Sequence, residues 1–284
     1  MKNLSFKKIY RVIKYGLIKR NFRYFTSSIR ILPSFIIVGA VRCGTTSLYY
    51  NICEHSSVLP ASYDEIGYFD SNYELGINWY KSMFPTKFQK EKIELKTGIC
   101  ITGEDTPFYF WDKKAIKRIK QDIPKVKIII LMRNPIDRAY SNYHLGVRLG
   151  AESLTFEESI KKEMEHLMKN NELENDNIEK FLQPRSYIAK GLYYQQIKNW
   201  FNEFSKEQIL VLSTENLAMK PHQTLKQIFN FLGLPNEQIQ NIQNRKVGNY
   251  QKMDNGTREI LKKIFQPHNE KLFKILGSKF EWNK

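Results

Sequence analysis

The chain has 284 residues, which is enough for one large domain or two small ones. Hydrophobic residues make up 42% of it and aromatic residues 13%, so a wholly disordered chain is excluded. No apolar run approaches the ~18 residues that a membrane-spanning helix requires. The formal net charge of +16 favours an anionic partner, which could be nucleic acid, anionic lipid, a phosphorylated nucleotide or an acidic glycan.

The N-terminal segment, residues 1–31, is predicted to be a basic amphipathic extension. Residues 1–30 contain nine Lys or Arg and no Asp or Glu, so they carry more than half of the excess charge. This pattern is typical of a helix that contacts the surface of an anionic membrane. The alternative is a solvated helix packed on its own domain. The apolar face consists of Phe6, Ile9, Tyr10, Ile13 and Leu17.

Residues 32–284 are predicted to form a single α/β domain, because strands alternate with helices along them. Such alternation indicates a P-loop-type central parallel sheet flanked by helices. The expected strands are 34–38, 125–132 and 208–213, and the expected helices are 45–52, 136–147, 193–204, 221–232 and 260–276.

A glycine-bounded loop, Gly39-Ala-Val-Arg-Cys-Gly44, lies between the first strand and the first helix. A loop at that place presents backbone amides and the positive end of a helix to an anion. A nucleotide triphosphatase would continue with Lys and Ser or Thr, but Thr45 and Thr46 follow here and Arg42 lies inside the loop. The loop therefore predicts an anion cradle without complete kinase chemistry, and a structural glycine turn is the simpler alternative.

Four segments in order resemble PAPS-dependent sulfotransferases, particularly the heparan sulfate N- and O-sulfotransferase group and its bacterial relatives. The resemblance spans about residues 34–276 and implies PAPS as the donor, PAP as the product and no metal. It also implies sulfuryl transfer to a hydroxyl or amine of a carbohydrate or glycolipid acceptor. The segments are Gly39–Leu48, Asp64–Phe69 with Gly76–Tyr80 and Phe84–Pro85, Arg133–Ser141, and Lys190–Ser213. The segments Gly103–Pro107 and Arg245–Met253 also fit.

Within this resemblance Glu65, Arg42 and Lys246 are the expected catalytic residues. Glu65 matches the general base, and its aromatic surroundings predict a buried carboxyl with a raised pKa. Arg42 replaces a family lysine that contacts the leaving group, and Lys246 matches a lysine on a loop that closes over the nucleotide. The expected donor-binding residues are Arg42, Cys43, Gly44, Thr45, Thr46, Ser47, Arg133, Ser141, Arg245 and Lys246.

Three other residues receive weaker interpretations. Asp105 stands where related O-sulfotransferases carry a lysine that touches the acceptor's uronate, which favours a different acceptor. Arg138 is interpreted as a surface or salt-bridge residue, and Cys43 as a packing residue rather than a nucleophile.

Two other functions remain open, a P-loop nucleotide kinase and a non-enzymatic binder of membranes or nucleic acid. No helix-turn-helix, aromatic RNA motif or zinc finger supports a nucleic-acid partner. Three cysteines are too few for a disulfide framework, and no secretory signal is visible. A cytoplasmic protein, peripheral at the membrane, is expected.

Overall fold

The computed structural model describes residues 23–169, 186–243 and 250–282. Most of the predicted extension, together with Arg245 and Lys246, lies outside these ranges. The described chain forms a five-stranded parallel sheet of order β2-β3-β1-β4-β5. Its strands are β1 (Phe35–Gly39), β2 (Val58–Pro60), β3 (Ile101–Asp105), β4 (Lys127–Met132) and β5 (Ile209–Ser213).

Helices lie between and after the strands, as the sequence predicts. They are α1 (Thr45–Cys53), α2 (Tyr68–Ser71), α3 (Gly76–Lys81), α4 (Lys87–Thr97), α5 (Lys113–Asp122), α6 (Pro135–Arg148), α7 (Phe156–Lys169), α8 (Tyr193–Glu203), α9 (Thr214–Met219), α10 (Pro221–Leu232) and α11 (Asn255–Leu276). No helix in the described ranges is long and apolar enough to cross a bilayer.

The central strands are buried because both of their faces are covered. All five residues of β1 are buried, and so are the last five of β4. Continuous apolar strands of this kind are typical of parallel sheets with helices on both sides. The predicted strands 34–38, 125–132 and 208–213 are thereby confirmed, within one or two residues at each end.

Strands β2 and β3 do not appear in the sequence-based prediction. The sequence of β3 is Ile-Thr-Gly-Glu-Asp, and every residue in it is buried. Its polar groups find partners in the interior, so the strand has no apolar signature. Gly103 is required because a Cβ at this position would lie 2.4 Å from the Phe35 ring.

The helix limits follow ordinary capping. Asn134 caps α6, because its side chain accepts a hydrogen bond from the Ile136 amide. Helix α10 ends at Gly233, which takes the left-handed conformation favoured by glycine. Helix α11 begins five residues before the predicted Ile260, because Asp254 supplies its N-terminal cap.

A second hydrophobic cluster supports the far side of α6. It joins Ile136 and Ala139 of that helix to Phe156, Ile188 and Phe265. The main core lies around the sheet, and the two clusters fix α6 beside the end of β4. As a result the carboxyl ends of β1, β3 and β4 open on one edge of the sheet, which is where parallel α/β folds place their ligands.

Candidate active site

The glycine-bounded loop follows β1 at this edge. The Ala40 amide donates to the Leu131 carbonyl of β4 at 2.7 Å, which fixes the start of the loop. Gly39 is needed because a Cβ there would lie 2.4 Å from Phe110 Cβ. Gly44 takes a left-handed conformation and begins α1. The amides of the first turn of α1 therefore face the same edge as the loop, a favourable place for an anion.

Arg42 links this loop to the helix that carries Ser141. Its Nε and one terminal nitrogen donate to Ser141 Oγ at 3.1 and 3.0 Å. Arg133, one residue beyond β4, donates from NH1 to the Arg42 carbonyl at 3.4 Å. The structure thus brings together Arg42, Arg133 and Ser141. The guanidinium of Arg42 lies at the pocket expected for the donor's 3′-phosphate.

A cavity of about 250 Å³ opens beside this cluster. The pKa of Arg42 is lowered, mainly by burial and further by the positive charges of Arg148 and Arg133. Tyr250 acts in the opposite direction and raises this pKa. Two neighbouring guanidinium groups therefore repel that of Arg42, which holds the Ser141 hydroxyl, and a phosphate dianion would relieve that repulsion. The cavity is lined by Arg42, Ser141, His144, Leu145, Val147, Arg148 and Tyr250.

An aromatic wall closes one side of the cavity. His144 stacks on Tyr250 with a ring separation of 4.3 Å and an angle of 7°. Tyr140 contacts His144 edge to face at 4.4 Å. Burial lowers the pKa of His144, so its neutral form is favoured at physiological pH. The histidine therefore acts as a stacked ring in this structure.

Two hydroxyls brace the loop from beneath. Thr214 Oγ1 donates to the Cys43 carbonyl at 2.6 Å and lies 3.0 Å from the Met132 carbonyl. Tyr193 OH donates to the Arg133 carbonyl at 3.0 Å. These contacts join the ends of β1 and β4, and the sequence alone gave no signal for Thr214.

Glu65 lies at the same edge, at the carboxyl end of β3. Its amide donates to the Asp105 carbonyl at 3.1 Å, and its backbone is left-handed with φ 51°. The expectation of a buried Glu65 is wrong, because its carboxyl is exposed while Ile66 and Phe69 turn inward. The apolar residues of this segment pack into the core, and the carboxylate points to solvent.

Three further sequence interpretations are settled by burial. Arg138 is fully buried and donates to the Tyr187 carbonyl, so the surface alternative is wrong. The salt-bridge alternative stays a prediction. Asp105 is also buried, so its carboxylate does not face an acceptor and carries no information on acceptor charge. Burial raises the pKa of Cys43 to about 11, which makes a thiolate nucleophile unfavourable.

The remaining expected donor contacts stay predictions. Thr45, Thr46 and Ser47 form the first turn of α1 and are buried beneath the loop. Arg245 and Lys246 lie outside the described residues. Arg148 has no place in the sequence-based site, because it lies outside the motifs that carry the resemblance. Glu104 lies in the segment Gly103–Pro107, which fits the resemblance, but the sequence assigns it no role.

Comparison with known proteins identifies the class. A sulfotransferase domain family model matches residues 32–284, so the chain belongs to this family. The membrane-associated sulfotransferase kil1 of Dictyostelium discoideum is 25% identical over 88% of this chain and 66% of its own length. The bifunctional heparan sulfate N-deacetylase/N-sulfotransferase 1 of Xenopus laevis is 29% identical over 86% of this chain, but over only 30% of its own length.

A solved structure shows the same fold. The crystal structure of a sulfotransferase from Alicyclobacillus acidocaldarius aligns with a TM-score of 0.68 and 27% identity, covering 89% of this chain and all of the other. The predicted α/β fold and the resemblance to sulfotransferases are both confirmed. The protein is an enzyme of the sulfotransferase class, whose members use PAPS as donor.

Proposed function

We propose that this protein transfers a sulfuryl group from PAPS to a hydroxyl or amine of a carbohydrate-type acceptor. The observation that carries the proposal is the contact of Arg42 with Ser141. It joins a phosphate loop to a second, arginine-rich pocket on one face. A donor with two separate phosphate groups fits this pair of sites, whereas ATP has no group for the second one.

In this proposal the 5′-phosphosulfate lies on the loop and on the first turn of α1. The 3′-phosphate accepts hydrogen bonds from Ser141 and from Arg42 and Arg133. Arg148 adds positive charge at the rim of the same cavity. Charge-assisted bonds to a phosphate are the strongest contacts available to this set of side chains.

Glu65 is proposed as the general base. The acceptor oxygen or nitrogen attacks sulfur in line, its proton passes to the Glu65 carboxylate, and the bond from sulfur to the 5′-phosphate oxygen breaks. PAP leaves with the electron pair of that bond. Positioning of the reactants and stabilisation of the leaving charge supply most of the rate. The basic loop and Lys246 are assigned to that charge.

The exposed position of Glu65 suits a base that must reach an external acceptor. Two exposed aromatic rings belong to the segments on either side of the contact between the Glu65 amide and the Asp105 carbonyl. They are Tyr63 at 42%, two residues before Glu65, and Phe108 at 49%, three residues after Asp105. Phe108 follows the strand end that binds the Glu65 amide. Rings of this kind offer flat apolar surfaces to a bulky substrate such as a sugar, which supports the acceptor class.

The test is transfer of radiolabel from PAPS to a panel of acceptors. The panel contains glycan chains with free hydroxyls, glycan chains with free amines, glycolipids and simple alcohols. We expect label in at least one carbohydrate or glycolipid. Label confined to non-carbohydrate alcohols would overturn the acceptor class, and magnesium-dependent turnover of ATP would favour the kinase instead.

A further inference from the structure

A fully buried carboxylate, Glu104, lies in the middle of a hydroxyl cluster behind the Glu65 loop. Its Oε1 accepts from Tyr80 OH at 2.6 Å and from Tyr109 OH at 3.4 Å. Its Oε2 accepts from Thr106 Oγ1 at 2.6 Å. Three hydroxyl groups from two segments therefore give their hydrogens to one carboxylate.

Two of these hydroxyls also bind the loop that carries Glu65. The Gly67 amide donates to Thr106 Oγ1 at 3.2 Å, and the Phe69 amide donates to Tyr109 OH at 3.2 Å. The Glu65 amide itself donates to the Asp105 carbonyl. The amides of residues 65, 67 and 69 are thus all bound to residues 105–109. Two of these three bonds are accepted by hydroxyls that themselves donate to Glu104.

The direction of these bonds depends on the carboxylate. A hydroxyl has one hydrogen, and when it is given to an acceptor the lone pairs remain available for an amide. An ionised carboxylate only accepts, so above the pH at which Glu104 loses its proton it sets both hydroxyls in the orientation that the loop requires. We propose that Glu104 is a positioning residue, which fixes the loop bearing Glu65 through the hydroxyls of Thr106 and Tyr109.

The loop needs this support because its backbone is strained. Glu65 has φ 51° and Gly67 has φ 62°, both in the left-handed region. This region is unfavourable for a residue with a side chain and persists where surrounding contacts determine it. The Glu65 side chain is exposed and adds no packing, so backbone hydrogen bonds, together with the buried side chains of Ile66 and Phe69, maintain the conformation.

Amide hydrogen exchange on the whole protein tests the proposal without any acceptor. Glu104→Gln preserves volume but presents an NH₂ group to one hydroxyl, which reverses the direction of that bond. We expect exchange in a peptide covering residues 64–70 to become roughly fivefold faster, as for the loss of one hydrogen bond. Tyr80→Phe is the matched control, because it removes a bond to the same carboxylate that does not lead to the loop.

Unchanged exchange in Glu104→Gln, or an equal increase in Tyr80→Phe, would overturn the proposal. Thr106→Val provides a second variant if Glu104→Gln does not fold. It removes the Gly67 acceptor while keeping the shape of the side chain, and it should accelerate the same peptide.

The catalytic part rests on the proposed function and is tested separately. With the best acceptor from the panel, Thr106→Val should lower kcat by ~10-fold, as expected for a misplaced group, and leave PAP affinity unchanged. In a Glu65→Gln background it should have no further effect. If Thr106→Val accelerates amide exchange in residues 64–70, but its loss of kcat adds to that of Glu65→Gln, the support of the loop is confirmed. Glu65 is then not the base. If the wild-type protein does not bind PAP, the proposal that PAPS is the donor is contradicted, and the support of the loop by Glu104 is not affected.

Discussion

Arg42 is the side chain that connects the two phosphate sites. A lysine in its place would have one charged nitrogen and could not supply the fixed pair of donors that contacts Ser141. The sequence shows the replacement of a family lysine by arginine. It does not show where the guanidinium lies, because the contact joins residues that are 99 positions apart.

Arg42→Lys tests this geometry. The variant keeps the positive charge and loses one of the two donors, so we expect PAP affinity to fall roughly fivefold, the cost of about one hydrogen bond. Isothermal titration with PAP measures the change. Arg258→Lys is the matched control, since Arg258 pairs with Asp137 and does not line the cavity. If Arg42→Lys and the wild type bind PAP with equal affinity, the paired nitrogen donors of Arg42 do not contribute to donor binding.

Glu65→Gln tests the base. The amide preserves shape but cannot take the acceptor's proton, so we expect turnover to fall by ~10²–10⁴ while PAP affinity is retained. Asp64→Asn changes the adjacent exposed carboxylate, which accepts a hydrogen bond from Tyr50, and should keep its turnover. If both variants turn over equally when chemistry limits the rate, another group removes the proton.

At the scale of elements, β3 shows where sequence reasoning succeeds and where it stops. Strands β1, β4 and β5 could be predicted because burial on both faces produces a run of apolar residues. Strand β3 is just as buried, but Glu104 in it is satisfied by hydroxyls from Tyr80, Thr106 and Tyr109. Partners that come from elsewhere in the fold leave no local pattern, so the strand was not predicted.

The same distinction applies to the candidate site. The loop, Arg133 and Ser141 could be found because they lie in motifs with fixed spacing. The exposure of Glu65 could not, because Ile66, Tyr68 and Phe69 turn inward while its carboxylate turns out. Arg148 became visible only when α6 placed it on the same cavity as Arg42.

The buried carboxyl of β3 predicts a pH-dependent stability. Burial raises the pKa of Glu104 to about 7, against the hydrogen bonds from Thr106 and Tyr80. The unfolded chain loses this proton near its ordinary pKa of 4.5. The stability contributed by the protonated group is therefore complete below that pH and is lost as the pH rises through about 7.

Denaturant unfolding of the wild type and Glu104→Gln measures this effect. The free energy of unfolding of the variant should rise relative to that of the wild type between about pH 4.5 and pH 7, by up to about 3 kcal/mol. A difference that stays constant across this window would contradict the raised pKa of Glu104.

At the scale of the molecule, the positive charge is divided between the N-terminal extension and the enzyme domain. Residues 1–30 carry nine of the positive charges. The described end of this segment packs on the domain, since Arg30 donates to the Phe84 carbonyl. Three apolar side chains next to it remain exposed, Tyr24 at 45%, Phe25 at 82% and Ile29 at 52%. These features support peripheral contact with an anionic membrane.

Vesicle co-sedimentation tests that contact. The full chain should sediment with vesicles that contain anionic lipid, because each basic residue near such a surface contributes ~1 kcal/mol. A truncated variant that begins at Arg23 lacks residues 1–22 but keeps the contact of Arg30 with Phe84. It should lose most of this binding and retain PAP binding. Equal sedimentation of the two chains would contradict a membrane role for residues 1–22.

We propose that one edge of the sheet binds a nucleotide through two separate phosphates. Isothermal titration of the wild-type protein with PAP and with adenosine 5′-monophosphate tests it directly, because the two ligands differ only in the 3′-phosphate. We expect PAP to bind at least ~10-fold more tightly, as for one charge-assisted phosphate contact. Equal affinities would contradict the assignment of Arg42, Arg133 and Ser141 to a 3′-phosphate site.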